Sequence, residues 1–389
     1  MLERSVATGS KACNTARMKT AVFPTCIFAV CVGANLFAAD MQSAPSTAWS
    51  AKGAATYLDG RLAWWMSWPH AARDHQTFCV SCHTALPYAL ARPTLRAVLG
   101  ELTPSPIERR LLDNVIRRVR LWEEVEPYYV GGNLTVQSRG TESILNAMIL
   151  ATYDAPAGSL TPDTQLAFDH MWAQQLPVGN AKGTWPWLEF QLAPWESHSE
   201  YYGATLAALA VGTAAADYRS LTKIQGNMNL LREYLARELA SRSLTDRLMV
   251  LWASTKIPGL LTRAQQKLII DEALSKQQVD GGFSLSSFSR SSKLWGNAPL
   301  ESRSDGYATG LVAFVLQEVD PDLVRDQTQL ELSLSWLKRN QVEAEGRWFG
   351  YSLNKRRNPD SDVGRFMSDA ATAYAVLALQ RANQGYQPH

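Results

Sequence analysis

A helix-start pattern that recurs along the chain constrains the fold more than any other feature. Each copy has Ser or Thr, then an acid, and then a run of small and aliphatic residues. A Ser or Thr hydroxyl accepts hydrogen bonds from the first backbone N–H groups of a helix, and an acid in the first turn interacts favourably with the helix dipole. The copies lie 46 to 64 residues apart, which leaves room for two helices and a loop. They are Thr141-Glu142, Ser199-Glu200, Thr245-Asp246, Ser304-Asp305 and Ser368-Asp369.

A more amphipathic segment precedes each of these helices. It has aliphatic residues at helical spacing on one side and charges on the other, as in 107–122, 229–239, 264–274 and 330–336. The helices at the repeated starts, such as 203–211 and 308–315, are apolar nearly all round, which predicts burial on both faces. One unit upstream of Glu142, residues 81–86 supply a sixth copy in a looser register. We therefore predict an all-α fold, an (α/α)6 toroid of six helix hairpins.

The loops between outer and inner helices carry a second repeat, in which Gln precedes Gly-x-aromatic. It occurs as Gln174-Gln175 with Gly183-Thr184-Trp185, Gln277-Gln278 with Gly281-Gly282-Phe283, and Asn340-Gln341 with Gly346-Arg347-Trp348. In these residues the chain resembles the terpenoid cyclase and protein prenyltransferase superfamily, whose squalene-hopene cyclases repeat a Gln…Gly-x-Trp motif. The resemblance covers roughly residues 50–385. It implies an α/α toroid with a central cavity suited to a hydrophobic, isoprenoid-like ligand.

The acids at the inner helix starts are candidate catalytic residues. Squalene-hopene cyclases protonate an alkene with a clustered Asp-x-Asp-Asp, whereas Asp305 and Asp369 are single acids here. A lone acid at a helix N-terminus is predicted to have a lowered pKa, because the helix end stabilises its anion. Glu200, Asp305 and Asp369 are therefore either helix caps or groups that contact a ligand at the cavity mouth. The zinc site of prenyltransferases, built from Asp, Cys and His, has no visible counterpart on the later helices.

The segment Cys79-Val80-Ser81-Cys82-His83 is a Cys-x-x-Cys-His box. This spacing is typical of covalent haem attachment, in which two thiols bind the haem vinyl groups and the histidine binds iron. Zinc is an alternative and would need further ligands, which His70 or His75 could supply. A disulfide or a redox dithiol is another. The candidates for a sixth iron ligand are His70, His75, His170, His198 and Met66, and His198 stands out because it precedes an inner helix start.

The N-terminus has the pattern of an export signal. Arg17 and Lys19 precede the apolar stretch 21–37, and Leu36-Phe37-Ala38-Ala39 offers small residues for cleavage. We predict a leader over residues 1–39, with Met18 as an alternative start, and a single toroid domain over 40–389. An uncleaved membrane anchor is the alternative. Of the five cysteines, Cys79 and Cys82 alone lie beyond the leader.

Export and the box support each other, since haem is attached to such boxes outside the cytoplasm. The predicted location is therefore the periplasm or the exterior. Without the leader the chain has 34 basic and 35 acidic residues, which gives no electrostatic reason to expect nucleic acid as a partner. No integral membrane domain is predicted beyond the signal segment.

Three functions follow as hypotheses. The first is an exported c-type haem protein on a cyclase-like toroid, with a hydrophobic ligand in its cavity, a redox or electron-transfer role and a redox partner. The second is a non-redox enzyme on the same fold, either terpenoid cyclase-like or carbohydrate-active with paired carboxylates. The third is a binding or electron-transfer module that has no substrate.

Overall fold

The structure is a computed structural model that describes residues 48–188, 200–289, 300–324, 327–353 and 355–383. The predicted leader, residues 1–39, therefore lies outside the described residues. The α-helices within those ranges are α1 (Ala51–Ser67), α2 (Ala85–Val98), α3 (Pro106–Arg120), α4 (Asn133–Asp154), α5 (Pro162–Ala173), α6 (Glu200–Thr213), α7 (Ala216–Arg219), α8 (Thr222–Glu238), α9 (Leu244–Lys256), α10 (Arg263–Leu274), α11 (Gly306–Glu318), α12 (Gln327–Arg339) and α13 (Phe366–Asn383). Short 3₁₀ turns occur at Ala155–Ala157, Leu239–Ser241, Leu285–Phe288, Pro321–Leu323 and Val363–Arg365. Strands β1 (Ala72–Arg73) and β2 (Thr77–Phe78) pair antiparallel, with Ala72 opposite Phe78.

Six helices form a closed inner ring in the order α2, α4, α6, α9, α11 and α13, and α13 packs back against α2. The helices α1, α3, α5, α8, α10 and α12 lie outside, and each packs against at least one inner helix. This alternation of inner and outer helices confirms the predicted all-α toroid of six hairpins.

Burial follows the two layers, as the hydrophobic pattern predicted. In α6 every residue from Tyr201 to Gly212 is buried, and in α11 every residue from Gly306 to Leu316. An outer helix such as α8 buries one stripe, comprising Ile224, Met228, Leu231, Tyr234 and Leu235. An inner helix meets neighbours on both sides of the ring and the outer layer behind, whereas an outer helix keeps one face in water.

Several predicted helix starts are displaced in the structure. Thr141-Glu142 lies well inside α4, which begins at Asn133 after Gly131 and Gly132, both with positive φ. The prediction of a start there was wrong, because the glycine turn lets the helix begin earlier. Helix α11 is capped by Asp305 rather than by Ser304. Helix α9 is capped by Ser243, two residues before Thr245.

The repeated Gln-to-Gly loops hold outer helices together. The side-chain Nε2 of Gln175 donates to the carbonyl of Gly183 at 3.1 Å and to that of Asn227, on α8, at 3.1 Å. Gln277 and Gln341 make the matching pairs of bonds, Gln277 to Gly281 and Gln329, and Gln341 to Gly346 and Ser50. Gly183 has φ +95° and a Cβ there would lie 2.1 Å from the Leu230 carbonyl oxygen, so the loop needs glycine. The motif that carries the cyclase resemblance thus has a structural role in this chain.

Within the described ranges, no helix combines the length and the apolar character that crossing a membrane requires.

Candidate functional site

The Cys-x-x-Cys-His box lies between β2 and α2 and is held at both ends. Cys79 N–H donates to the Ala71 carbonyl at 2.8 Å, and the Trp65 indole N–H donates to the Cys79 carbonyl at 2.6 Å. At the other end, the Ser81 hydroxyl oxygen accepts from the N–H groups of Thr84 at 3.3 Å and Ala85 at 3.0 Å. Ser81 therefore fixes the turn that leads from the box into the first residues of α2.

Both thiols and the imidazole of the box line one cavity of about 290 Å³. Six aromatic side chains contribute to its wall: Trp65, Trp68, Tyr128, Tyr129, Trp187 and Phe366. A second cavity of about 380 Å³ shares part of this wall and is lined by Trp65, Trp68, His70, Cys79 and Tyr129. The box thus faces an apolar space bounded by flat rings, which suits a flat hydrophobic molecule.

Cys79 and Cys82 are not joined in a disulfide. Cys79 is buried and Cys82 is partly exposed. Burial raises the pKa of Cys79 to about 12, so this sulfur keeps its proton at neutral pH. A redox dithiol needs the opposite shift, toward an easily formed anion.

His83 is fixed between two aromatic rings. Its imidazole stacks on Phe366 with ring centroids 3.8 Å apart, and meets Trp65 edge-on at 5.0 Å. Burial lowers the pKa of His83 to about 3, and the positive charges of Arg61 and Arg357 act in the same direction. The ring is therefore neutral at physiological pH, which is the state in which histidine binds a metal ion.

A chain of hydrogen bonds runs from His83 into the protein. His83 Nδ1 lies 2.9 Å from Thr84 Oγ1, and Thr84 Oγ1 donates to Asp369 Oδ2 at 2.6 Å. The other oxygen of Asp369 accepts from the Tyr57 hydroxyl and from Arg61 Nε, each at 2.8 Å. Burial raises the pKa of Asp369, and the charge of Arg61 and these hydrogen bonds oppose that rise.

The three predicted catalytic acids lie in different surroundings. Asp369 is the one that contacts the box, through Thr84. Asp305 is buried, and its two oxygens accept from the backbone N–H groups of Ala308 at 2.9 Å and Leu285 at 2.6 Å. Glu200 is the first residue of α6 and is partly exposed. Neither Glu200 nor Asp305 lines the two cavities beside the box.

The predicted lowering of the pKa at lone helix-start acids was wrong for Asp305. Burial raises the pKa of Asp305 to about 7, although backbone N–H groups at Ala308, Leu285 and Tyr307 favour its anion. The helix end does supply donors, as expected. The loss of water around a fully enclosed carboxylate outweighs them.

The described candidates for a sixth iron ligand lie in different parts of the structure. His70 borders the second cavity and meets Trp68 edge-on at 5.0 Å. His75 is exposed in the β1–β2 turn with φ 49°, and His170 stacks on Trp122 with ring centroids 4.7 Å apart. Met66 is buried in the core, and His198 lies outside the described residues. Of the described candidates, His70 is the one that lines a cavity beside the box.

Sequence reasoning missed the residues behind and around His83. Thr84 follows the box directly, yet its partner Asp369 is 285 positions away in the chain. Phe366 begins α13 and Trp65 lies in α1, so both reach the imidazole only once the ring is closed. Their aromatic character was visible in the sequence, but nothing in the local pattern paired them with the box.

Across the described part of the chain, no group of three or more His, Cys, Asp and Glu side chains is arranged to hold a metal ion. The two thiols and the imidazole of the box therefore line one cavity without converging on a single point.

Comparisons with known proteins agree with the architecture. No family model and no curated protein matches the sequence. Among solved structures, the chain is similar to an unsaturated glucuronyl hydrolase variant with the oligosaccharide dGlcA-Glc-Rha-Glc. The identity is 14% and the TM-score 0.50, with 86% of this chain and 97% of that chain covered. That protein is an α/α toroid, and at this identity the likeness shows the fold alone.

Proposed function

We propose that the chain is an exported c-type haem protein, in which Cys79 and Cys82 bind haem covalently and His83 binds its iron. One observation carries the proposal: both thiols of the box and its imidazole line the same cavity, which has aromatic side chains in its wall. The bound haem would supply one-electron redox chemistry. The toroid would serve as the rigid frame around it.

The chemistry of attachment suits the state of the thiols. Each thiol would add across one vinyl group, with sulfur bonding to one carbon and the thiol proton going to the other. The addition consumes no oxidant or reductant, and the protonated Cys79 brings the required hydrogen. The aromatic wall would exclude water from the face of the porphyrin.

Zinc is less well supported as the occupant. A structural zinc site needs four ligands that converge tetrahedrally at 2.0–2.3 Å. The described residues offer no such group around Cys79, Cys82 and His83. In the haem arrangement the two sulfurs would bind the vinyl groups and not the iron, so they have no need to converge with His83.

The first experiment is to express the full chain, leader included, in a host with cytochrome c maturation. The exported fraction is run on a denaturing gel and stained for covalent haem, with Cys79→Ala/Cys82→Ala as the negative control. We expect a haem band in the wild type that is lost in the variant. A folded, exported wild-type chain without haem would overturn the proposal, and metal analysis would then test for zinc.

A carbohydrate-active enzyme is the second candidate. The similar toroid described above is a hydrolase with a bound oligosaccharide, and its fold covers most of this chain. The residue that favours this candidate is Asp305, whose pKa burial raises to about 7, as a general acid requires. Both oxygens of Asp305, however, are occupied by backbone donors. Hydrolysis of unsaturated glucuronyl oligosaccharides that is lost in both Glu200→Gln and Asp305→Asn would favour this enzyme.

A further inference from the structure

The geometry points to Asp369 as a positioning residue that acts through Thr84 to fix the tautomer of His83. In this arrangement the proton of the imidazole is on Nδ1, and Nε2 is the nitrogen that can bind a metal. The use of this tautomer to bind iron rests on the proposed haem function. The tautomer itself can be measured without haem, so the two can fail separately.

The first step is the charge of Asp369. Arg61 is 5% exposed and its guanidinium keeps its proton at any physiological pH, so buried negative charge stabilises it, and its other carboxylate partner, Asp362, is 52% exposed. Arg61 Nε donates to Asp369 Oδ1 at 2.8 Å, and the Asp369 side chain is 1% exposed. Asp369 is therefore an ionised carboxylate, and an ionised carboxylate can only accept hydrogen bonds.

The second step concerns the single hydroxyl hydrogen of Thr84. A hydroxyl has one hydrogen, and at 2.6 Å the bond from Thr84 Oγ1 to Asp369 Oδ2 has the length of a charge-assisted O–H···O⁻ bond. With its hydrogen used there, Thr84 Oγ1 can only accept in its 2.9 Å contact with His83 Nδ1. The donor in that contact must be an N–H group of the imidazole.

The third step concerns the other ring nitrogen. With Nδ1 donating to Thr84 Oγ1, Nε2 is the nitrogen whose lone pair can bind a metal. Metal-binding histidines are commonly oriented by a carboxylate that accepts from their second nitrogen. Here a threonine hydroxyl is inserted between the carboxylate and the ring.

The carboxylate is itself fixed from a separate part of the chain. Tyr57 and Arg61 belong to α1, Thr84 precedes α2, and Asp369 lies in the first turn of α13. Arg61 also binds the Asp362 side chain at 2.7 Å and its carbonyl at 2.7 Å. The relay behind His83 therefore lies where the last inner helix closes against the first hairpin.

The test is nitrogen NMR on the full chain with ¹⁵N-labelled histidine, produced without haem maturation. His83 is assigned from the signal lost in His83→Gln. We expect a neutral Nδ1-protonated pattern in the wild type and in Thr84→Ser, and a shift toward the Nε2-protonated form in Thr84→Val. Thr205→Val is the matched control, because Thr205 is a buried inner-helix threonine whose hydroxyl donates to the Tyr201 carbonyl at 2.9 Å. An Nε2-protonated wild type, or an unchanged tautomer in a folded Thr84→Val, would overturn the inference.

A second readout uses the haem-loaded protein. Losing the acceptor at Nδ1 makes the imidazole a weaker electron donor, so Thr84→Val should raise the reduction potential. Thr84→Ser and Thr205→Val should leave it at the wild-type value. A potential in Thr84→Val equal to that of the wild type would count against a role for the relay in tuning the iron.

Discussion

Asp305 and Asp369 occupy comparable places in the repeat, at the starts of the neighbouring inner helices α11 and α13, yet their carboxylates have different partners. Asp305 is the N-cap, so both of its oxygens accept from backbone N–H groups. Asp369 lies three residues after the first residue of α13, and its oxygens accept from side chains of α1 and of the segment before α2. A shift of a few positions relative to the helix start changes the donors that each acid meets.

This difference shows how equivalent positions of a repeated fold can have different roles. Backbone donors exist at the start of every helix, so a capping acid says little about function. The donors around Asp369 are a tyrosine, an arginine and a threonine that come together at one point of the ring. Among the three predicted catalytic acids, this is the one tied to the box.

The largest expected effect is that of Asp369→Ala. The substitution removes the buried carboxylate that pairs with Arg61 and leaves that guanidinium with the half-exposed Asp362 alone, so it should lower the free energy of unfolding by about 3 kcal/mol. Chemical denaturation monitored by circular dichroism measures it. The double variant Arg61→Met/Asp369→Leu should be less destabilised than the single one, since no buried charge is then left unpaired and Asp362 is 52% exposed. Equal losses in the two variants would contradict the ion-pair account.

Asp305→Ala should lower the free energy of unfolding by less, about 1–2 kcal/mol, because it removes a helix cap and leaves no charge unpaired.

The pH dependence of the wild-type stability sharpens the comparison between the two acids. Burial raises the pKa of Asp305 to about 7 from 3.8, so the folded state binds this proton more tightly than the unfolded state. Stability should therefore fall as pH rises from about 4 to 7.

Asp305→Asn keeps a capping oxygen and should abolish that part of the pH dependence. The measurement is the midpoint of urea unfolding for both proteins at several pH values between 4 and 8. Parallel profiles for the wild type and Asp305→Asn would mean that the backbone donors, rather than burial, control the ionisation of Asp305.

Tyr57→Phe should have the smallest effect, about 0.5–1.5 kcal/mol, because Asp369 keeps its bonds to Arg61 and Thr84. Thermal unfolding measures the loss, and the tautomer of His83 should stay unchanged in the same variant. A loss as large as that of Asp369→Ala would show that the tyrosine hydroxyl is required for the whole cluster.

The fold was predictable from local patterns. Apolar residues all round segments such as 308–315, and one apolar stripe in segments such as 264–274, distinguish inner from outer helices without any long-range information. The loop repeat was equally local, since each Gln bonds to a Gly a few residues later in its own loop. The helix starts were less predictable, because a Ser-acid pair can lie at the N-cap, in the first turn or inside a helix.

The site was predictable in part. The box at Cys79, Cys82 and His83 is a sequence motif that could be recognised without the structure. The role of Asp369 could not be predicted, because no local pattern in a single sequence indicates a hydrogen bond between residues 285 positions apart. The burial that raises the pKa of Asp305 likewise depends on neighbours supplied by the tertiary fold.

The closure of the ring between α13 and α2 has a consequence for the order in which the molecule is assembled. His83 is synthesised early, whereas Asp369 belongs to the last described helix. A nascent chain that ends after the box and before α13 therefore has the complete box but lacks Asp369, which belongs to the relay behind the imidazole. A cofactor attached to such a nascent chain would therefore be bound before the His83 imidazole is oriented. Only a chain that includes α13 could then orient it.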